Sequence, residues 1–306
     1  MEIGWLEDFL AVVDQGGFSR AAEARHITQS ALSRRIQALE EWVGAPLFNR
    51  TTHKVLLSPA GVAFRLTAEE ILRRLEGGRL EALEQANAVS EQLQFASTNA
   101  LALTFFPTWL RKVEASLPFV PGVNLSANHM EACERMMLQG RAQFLLGHHH
   151  PAVETLLTPK QFLSHRVGDD VLIPVTAPAQ VGAPVAGPLF ALPGSEAEPI
   201  PYLPYRTESG MGRIVAAVRG NSPHKAWLRP TFSSHVAKLL VTMALDGRGM
   251  AWLPESLIYD NLAEGSLVRA GGGAWDIPIE IHVFRSKARL SQAAELFWAT
   301  VTATPT

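Results

Sequence analysis

The stretch between Ser19 and Leu57 constrains the fold more than any other part of the chain. Its central part has one apolar face that repeats with the period of an α-helix, about 3.6 residues. That face is formed by Leu32, Ile36, Leu39 and Val43. Thr28 is suited to cap the start of this helix, and Gly44 is suited to end it. A short Ala-rich helical pattern comes before it, and a basic hairpin pattern comes after it.

The residues on both sides complete a known arrangement of helices and strands. An upstream helix that would end at Gly16 and Gly17 has an apolar face formed by Leu6, Phe9, Leu10 and Val13. Downstream, apolar residues alternate on both sides of a polar tip at 50–54, as they do in two paired strands. Three helices followed by a hairpin predict a winged helix-turn-helix domain over residues 1–58.

The outer face of the central helix carries side chains that suit nucleic acid. This face is formed by Gln29, Ser30, Ser33, Arg34 and Gln37. Arg can bind guanine through two hydrogen bonds, Gln can bind adenine in the same way, and Ser can donate or accept. Residues 25–54 hold five basic and two acidic residues, a net charge of +3, whereas the chain as a whole is at −2. A basic patch of this kind predicts binding to double-stranded DNA, although a polar helix face is also typical of a merely solvated surface.

The first 61 residues resemble the LysR-type transcriptional regulators. The run FLAVVDQGGFSRAAEARHITQSALSRRIQALEEWVGAPLFNR, followed by LSPAG, carries the resemblance. It implies that the second motif helix lies in the major groove and that the wing meets the neighbouring backbone and minor groove. The residues expected to contact DNA are Gln29, Ser30, Ser33, Arg34, Arg35, Arg50, Thr51, His53 and Lys54.

Residues 59–91 are predicted to form a linker helix that joins two copies of the chain. Ser58 is suited to cap this helix, and Pro59 is suited to its first position. An imperfect heptad pattern of apolar residues follows, formed by Leu72, Leu75, Ala82, Ala86, Val89 and Leu93. The alternative is an exposed spacer. A dimer or tetramer would place two motif helices about one duplex turn apart, which predicts a palindromic promoter site.

Residues 92–306 alternate short apolar strands with helices and predict an α/β fold. Together with ALDGRGMAWLPE, they resemble the LysR effector domain, which has two periplasmic-binding-protein-like lobes around a ligand cleft. The resemblance places lobe I at about 92–168 and 270–306, and lobe II at about 169–269. The fold class is therefore an α/β chain with a winged helix-turn-helix, a long linker helix and a two-lobed effector domain.

The cleft is expected where strands end and helices begin, because exposed N–H groups there bind anions and polar ligands. Ser and Thr at such positions can also be simple helix caps. The candidate effector-binding residues are Thr98, Asn99, His129, Thr207, Met211, Arg213, Ser233, Ser234 and Trp252.

The segment RTESGMGRIV is similar to that of LysR regulators that respond to hypochlorite by methionine oxidation. Met211 lies between Gly210 and Gly212, which predicts a thioether with little cover, and Arg213 is near it in sequence. Oxidation would turn this flexible apolar side chain into a polar one, and reductases can reverse the change. Two alternatives remain: a methionine that only packs, and a small polar or anionic ligand that binds reversibly.

Other chemistry has little support in the sequence. The run His148 to His150 invites a metal hypothesis, but adjacent strand residues point to opposite faces and no Cys or carboxylate is suitably spaced. A solvated strand end is expected instead, and no cofactor is predicted. Cys133 is the only cysteine, which suits a reducing cytoplasm, and no membrane span or signal peptide is found. A DNA-binding regulator is favoured over a remote alternative, an enzyme or solute-binding protein with a helical appendage.

Overall fold

The computed structural model describes residues 1–51, 54–85, 92–180 and 187–303. The amino-terminal elements are α1 (Ile3–Gln15), α2 (Phe18–Ala24), α3 (Gln29–Val43), β1 (Phe48–Thr51), β2 (Lys54–Leu57) and α4 (Pro59–Gln85). The next elements are β3 (Gln92–Thr98), α5 (Asn99–Thr104), α6 (Phe106–Glu114), β4 (Gly122–Asn128), α7 (Met130–Leu138), β5 (Phe144–His149) and β6 (Phe162–Thr176). The last are β7 (Ile200–Tyr202), α8 (Gly210–Gly220), β8 (Leu228–Pro230), α9 (Ala237–Leu245), β9 (Ala251–Pro254), α10 (Glu255–Ala263), β10 (Val268–Arg269), β11 (Ile277–Ser286) and α11 (Gln292–Ala303).

The first 57 residues form the predicted winged helix-turn-helix. The side-chain oxygen of Thr28 accepts a hydrogen bond from the N–H of Ala31 at 3.2 Å, which caps α3, and Gly44 ends that helix in the left-handed conformation. The apolar faces of α1 and α3 share one core, in which Phe9 and Ile36 are fully buried. Strands β1 and β2 pair antiparallel. The sequence prediction of this fold is therefore confirmed.

Helix α4 begins where the sequence predicts. The Oγ of Ser58 accepts a hydrogen bond from the N–H of Gly61 at 2.9 Å and donates one to the carbonyl of Pro46 at 2.6 Å. Of the predicted heptad residues, Leu75 is exposed and Ala86 and Val89 lie outside the described residues. Leu93 does not continue the helix, because it is fully buried in β3.

One mixed sheet runs through the carboxyl-terminal part of the chain. Its strands follow the order β10-β6-β11-β5-β3-β4, and β9 also pairs with β6. Strand β3 is parallel to β4 and β5, whereas β6 and β11 are long and antiparallel to each other. Strands β7 and β8 form a separate parallel pair. No helix among the described residues is long and apolar enough to cross a membrane.

Two hydrophobic cores divide this part into lobes. Lobe I packs Phe95 and Phe144 of the sheet against Phe297 of α11. Lobe II packs α8, α9 and α10 against β6 and β9. Strand β11 contributes Ile279 to the second core and Val283 to the first. The predicted two-lobed domain is confirmed, and β11 is one of the strands that connect its lobes.

Candidate functional site

The outer face of α3 is open to solvent, as a surface that meets DNA requires. Gln29, Ser30 and Arg34 are exposed, and Ser33 is half-buried. The hydroxyl of Ser19 donates a hydrogen bond to Oε1 of Gln29 at 3.0 Å, so the Gln29 amide is already oriented. This contact joins α2 to the start of α3, and sequence spacing alone does not reveal it.

Arg35 differs from its neighbour Arg34, because it takes part in a buried ion-pair cluster. Asp8 of α1 is fully buried, and its two carboxylate oxygens accept from Arg25 at 2.8 Å and from Arg35 at 3.1 Å. The cluster fixes α3 against α1 and the end of α2. Arg35 therefore helps to hold the helices together, a role that its sequence position does not indicate, and its contact with DNA stays a prediction.

The tip of the wing can be placed only in part. Arg50 and Thr51 end β1, and Lys54 begins β2. His53 lies outside the described residues, as do the side chains of the other three. Their predicted contacts with DNA stay a prediction.

The turn between α2 and α3 contains an unusual backbone conformation. His26 has φ +55°, in the left-handed region that favours glycine. The N–H of Ile27 donates to the carbonyl of Ala22, and the N–H of His26 donates to the carbonyl of Glu23. This pair of bonds is a Schellman motif, in which the left-handed residue is usually Gly. The tight turn between the two motif helices therefore rests on a strained residue.

A small pocket lies between lobe I and lobe II. It brings together Thr98, Asn99, His129 and Met211, four of the predicted effector-binding residues. The other main lining residues are Asn128, Met130, His148, Ser209 and His235, of which only Ser209 lies in the segment RTESGMGRIV that the sequence singles out. Its volume is about 20 Å³, which is room for about one water molecule. In this conformation the pocket therefore admits only a very small ligand.

The pocket contains polar groups that lack partners. Thr98 is buried, and its hydroxyl has no hydrogen-bond partner among the described residues. The rings of His129 and His235 meet edge to face, with their centroids 5.3 Å apart. Burial, together with the nearby His235, lowers the pKa of His129. An uncharged imidazole and a free hydroxyl can bind a small polar molecule.

Met211 is buried, contrary to the expectation of little cover. It is only 6% exposed, in the first turn of α8. The flanking glycines allow close packing: a Cβ on Gly212 would lie 2.5 Å from the carbonyl oxygen of Arg206, and one on Gly210 would lie 3.0 Å from Met130. The two glycines therefore bring neighbouring chain segments onto the helix around Met211 and do not uncover it.

Arg213 does not face Met211 as the sequence suggests. Residues two apart on a helix point in different directions, and Arg213 donates a hydrogen bond to Oε2 of Glu134 at 2.9 Å. Glu134 belongs to α7 of lobe I and is fully buried. Its other carboxylate oxygen accepts from the N–H of Leu156. Arg213 therefore connects the two lobes through Glu134 and does not lie beside the thioether of Met211.

The remaining candidates do not line the pocket. Thr207 and Ser233 are exposed, and the Oγ of buried Ser234 accepts a hydrogen bond from the N–H of Val236. Trp252 is 1% exposed in the core of lobe II, where its indole N–H donates to the carbonyl of Trp275 at 2.9 Å. The expectation that strand ends carry ligand contacts is wrong for Trp252, because its ring faces the core.

The structure also shows the surroundings of Cys133 and His148, and both side chains are buried. Cys133 is fully buried, as expected for a small apolar side chain, and burial raises the pKa of its thiol to about 12. A thiol of this kind is unreactive toward oxidants. His148 is also buried, so the expected solvated strand end is wrong for this residue.

A larger cavity, about 360 Å³ in volume, lies on lobe I. Phe105, Trp109 and His165 line it, together with the charged side chains of Lys112 and Arg166. None of the predicted effector-binding residues borders this cavity. Unlike the interlobe pocket, this cavity has room for a ligand larger than water without movement of the lobes.

Comparison with known proteins identifies relatives of the whole chain. The regulator YjiE of Escherichia coli strain K12 is 31% identical over 300 residues, which cover 97% of this chain and 93% of YjiE. The full-length structure of HypT from Salmonella typhimurium, described as a hypochlorite-specific LysR-type transcriptional regulator, is 29% identical, has a TM-score of 0.57 and covers 99% of this chain and 98% of HypT. DarR of Vibrio fischeri, solved in complex with DNA, is 29% identical, has a TM-score of 0.55 and covers 99% of each chain.

Matches to protein families agree with these relatives. Residues 3–62 match the bacterial regulatory helix-turn-helix protein, lysR family. Residues 86–305 match the LysR substrate binding domain, and this match alone covers more than half of the chain. The relatives are named as transcriptional regulators and not as enzymes. The chain therefore belongs to the LysR family of DNA-binding transcriptional regulators and carries an effector-binding domain at its carboxyl end.

Proposed function

We propose that this regulator senses a hypochlorite-type oxidant through Met211. The observation that carries the proposal is that Met211 and Met130, one from each lobe, border a pocket with room for about one water. A small oxidant can enter such a space, whereas a bulky effector requires the lobes to separate. Similarity to HypT, which is described as hypochlorite-specific, supports the same chemistry.

The oxidation supplies a physical reason for a switch. Hypochlorous acid and the thioether give a sulfoxide, a proton and chloride, so that sulfur is oxidised and chlorine is reduced. The new oxygen is polar and needs space, whereas the pocket has room for only about one water molecule. A closed arrangement of the lobes becomes less favourable, and the population shifts toward one that accommodates the sulfoxide.

Reversible binding of a small anion in the same pocket is the second candidate. The unpartnered hydroxyl of Thr98 and the neighbouring imidazoles of His129 and His235 favour it. A ligand that accepts hydrogen bonds would satisfy these donors without any covalent change. The two candidates differ in reversibility, because a bound anion leaves on dialysis and a sulfoxide remains.

The regulated partner in this proposal is a palindromic promoter site bound by two or four copies of the chain. The exposed face of α3 supplies the base contacts. Helix α4 exposes the apolar side chains of Val62, Leu66 and Leu75, which are 57%, 60% and 48% exposed. Such residues on a long helix suit contact with a second copy. The exact register of that contact would decide the spacing of the two half-sites.

The test compares Met211→Ile and Met211→Gln with the parent protein, in DNA-binding titrations before and after treatment with hypochlorite. Met243→Ile is the matched control, because Met243 is half-buried against the core of lobe II and does not border the pocket. We expect oxidant to change the DNA affinity of the parent and of the control by about ten-fold, or about 1.4 kcal/mol. Met211→Ile should lose most of this change, and Met211→Gln should show part of it without oxidant.

Parent-like responses in both Met211 variants would contradict the oxidation proposal. A response of the parent that disappears after dialysis, without reductase, would favour the reversible anion instead. Mass spectrometry of the treated protein identifies which methionines carry oxygen.

A further inference from the structure

Three side chains from two strands that are far apart in sequence meet on one face of the lobe I sheet. His149 ends β5, and the antiparallel register places it directly opposite Glu280 of β11. His282 lies two residues further along β11, and alternate strand residues share a face. The sequence argument against a metal considered only the neighbours of the histidine run, and it is wrong about the available donors.

The donor atoms of these groups lie close enough together to reach one ion. Oε2 of Glu280 lies 3.4 Å from Nδ1 of His149, and it shares a hydrogen bond of 2.7 Å with Nε2 of His282, which a bound ion would replace. The donor atoms of all three residues lie within 4.8 Å of one another. The two imidazole rings are stacked, with their centroids 4.3 Å apart. In tetrahedral zinc sites, bond lengths near 2.0–2.2 Å separate neighbouring donors by roughly 3.3–3.6 Å.

We propose that His149, Glu280 and His282 form a binding site for a divalent transition metal ion of the zinc type. Two imidazoles and one carboxylate suit this class of metal, and the fourth position would be taken by water. The side chains are 27%, 34% and 12% exposed, in the order His149, Glu280 and His282, so an ion can reach them from solvent.

The surroundings favour ligation over a simple ion pair. Nδ1 of His149, the atom nearest Oε2 of Glu280, is buried and makes no hydrogen bond among the described residues. Arg166 of β6 lies 3.6 Å from Oε1 of Glu280 and can orient the carboxylate while Oε2 binds the ion.

The position of the site gives it a consequence for the domain. An ion there would tie β5 of lobe I to β11, the strand that continues into the core of lobe II. The pairing of β11 with β6 shifts register between Ile281 and His282, within the site itself. On the other face of β5, His148 borders the interlobe pocket. The ion would therefore stiffen the strand next to the pocket.

The experiment uses the full chain, without a histidine tag and stripped of metals, titrated calorimetrically with Zn²⁺. We expect one saturable site in the parent protein. Glu280→Gln and His282→Gln should weaken binding by at least about ten-fold, the lower end of the loss seen even for residues that only support ligands. His165→Gln is the matched control, since His165 lies on the adjacent strand β6 away from the cluster and should leave Zn²⁺ binding unchanged.

A second measurement uses only the parent protein, so its result does not depend on whether the variants fold. Crystals grown with Zn²⁺ should show an anomalous peak at the zinc edge within ligand distance of the three side chains. Absence of saturable binding in the parent, or an anomalous peak elsewhere with none here, would overturn the proposal. Parent-like affinity in both folded cluster variants would overturn it as well.

Discussion

The face of α3 and the interlobe pocket are both polar, but one is open and the other is closed. The α3 side chains are exposed, and the contacts that orient them, such as the one from Ser19 to Gln29, come from the same small domain. The pocket side chains are largely buried, and the space between them admits about one water. A large partner can dock on the first surface without rearrangement. The interlobe pocket must either change shape or admit a very small molecule before it can respond to a ligand or an oxidant.

The difference has a physical origin in how each surface is built. One helix and its cap supply the whole α3 face, so its geometry is fixed once that helix packs. The pocket needs the ends of β3 and β4 from lobe I and the starts of α8 and α9 from lobe II. Its shape therefore depends on the arrangement of two lobes, which is the property a ligand can shift.

The largest expected effect tests whether the α3 face is preformed. Asp8→Ala removes the buried carboxylate that holds Arg25 and Arg35, and it should lower the free energy of unfolding by about 3 kcal/mol. Both arginines keep some access to water, which limits the loss. Thermal and urea unfolding would measure it. The control Glu7→Gln removes a partly exposed partner of the same Arg25 and should cost less than about 1 kcal/mol. Equal costs for the two variants would mean that the cluster does not hold the domain together.

A smaller effect separates two adjacent arginines on α3. Arg34→Ala should weaken binding to a selected duplex by about 2 kcal/mol, and binding to random duplex should change less, because a base contact is lost. Arg35→Ala should instead lower stability, since its guanidinium pairs with Asp8. Competition titrations and unfolding curves on both variants provide the comparison. Uniform weakening by Arg34→Ala on every duplex would reduce its role to phosphate contact.

The smallest expected effect concerns the turn that sets the angle between α2 and α3. His26→Gly should raise the free energy of unfolding by up to about 1 kcal/mol, because Gly adopts φ +55° without the strain that His carries. The larger entropy of Gly in the unfolded chain offsets part of the gain. Unfolding curves would measure the change, with His224→Gly as a control at an exposed loop position. A destabilised His26→Gly would show that the imidazole contributes more than its backbone strain costs.

The sequence predicts the helix-turn-helix well and the pocket only in part, for reasons that particular residues make clear. Periodicity and caps define α3 to the residue, since Thr28 and Gly44 act locally. Thr98, Asn99 and His129 were found because they follow strands. His148 and His235 were missed because the side they face depends on how strands pair and lobes meet. The same holds for Glu280 and His282, which only the register of β5 with β11 brings to His149.

The contact between Arg213 and Glu134 can set the balance between closed and open arrangements of the two lobes. It joins α8 of lobe II to α7 of lobe I, and its carboxylate is fully buried, so salt screens it only weakly. A ligand that binds only when the lobes are apart competes with this ion pair. The apparent affinity of such a ligand becomes weaker as the fraction of open molecules becomes smaller. Substitutions at these two positions would therefore move the dose at which the regulator responds, while the chemistry of recognition stays the same. Sensitivity and specificity are thus encoded by different side chains, and selection can change one without the other.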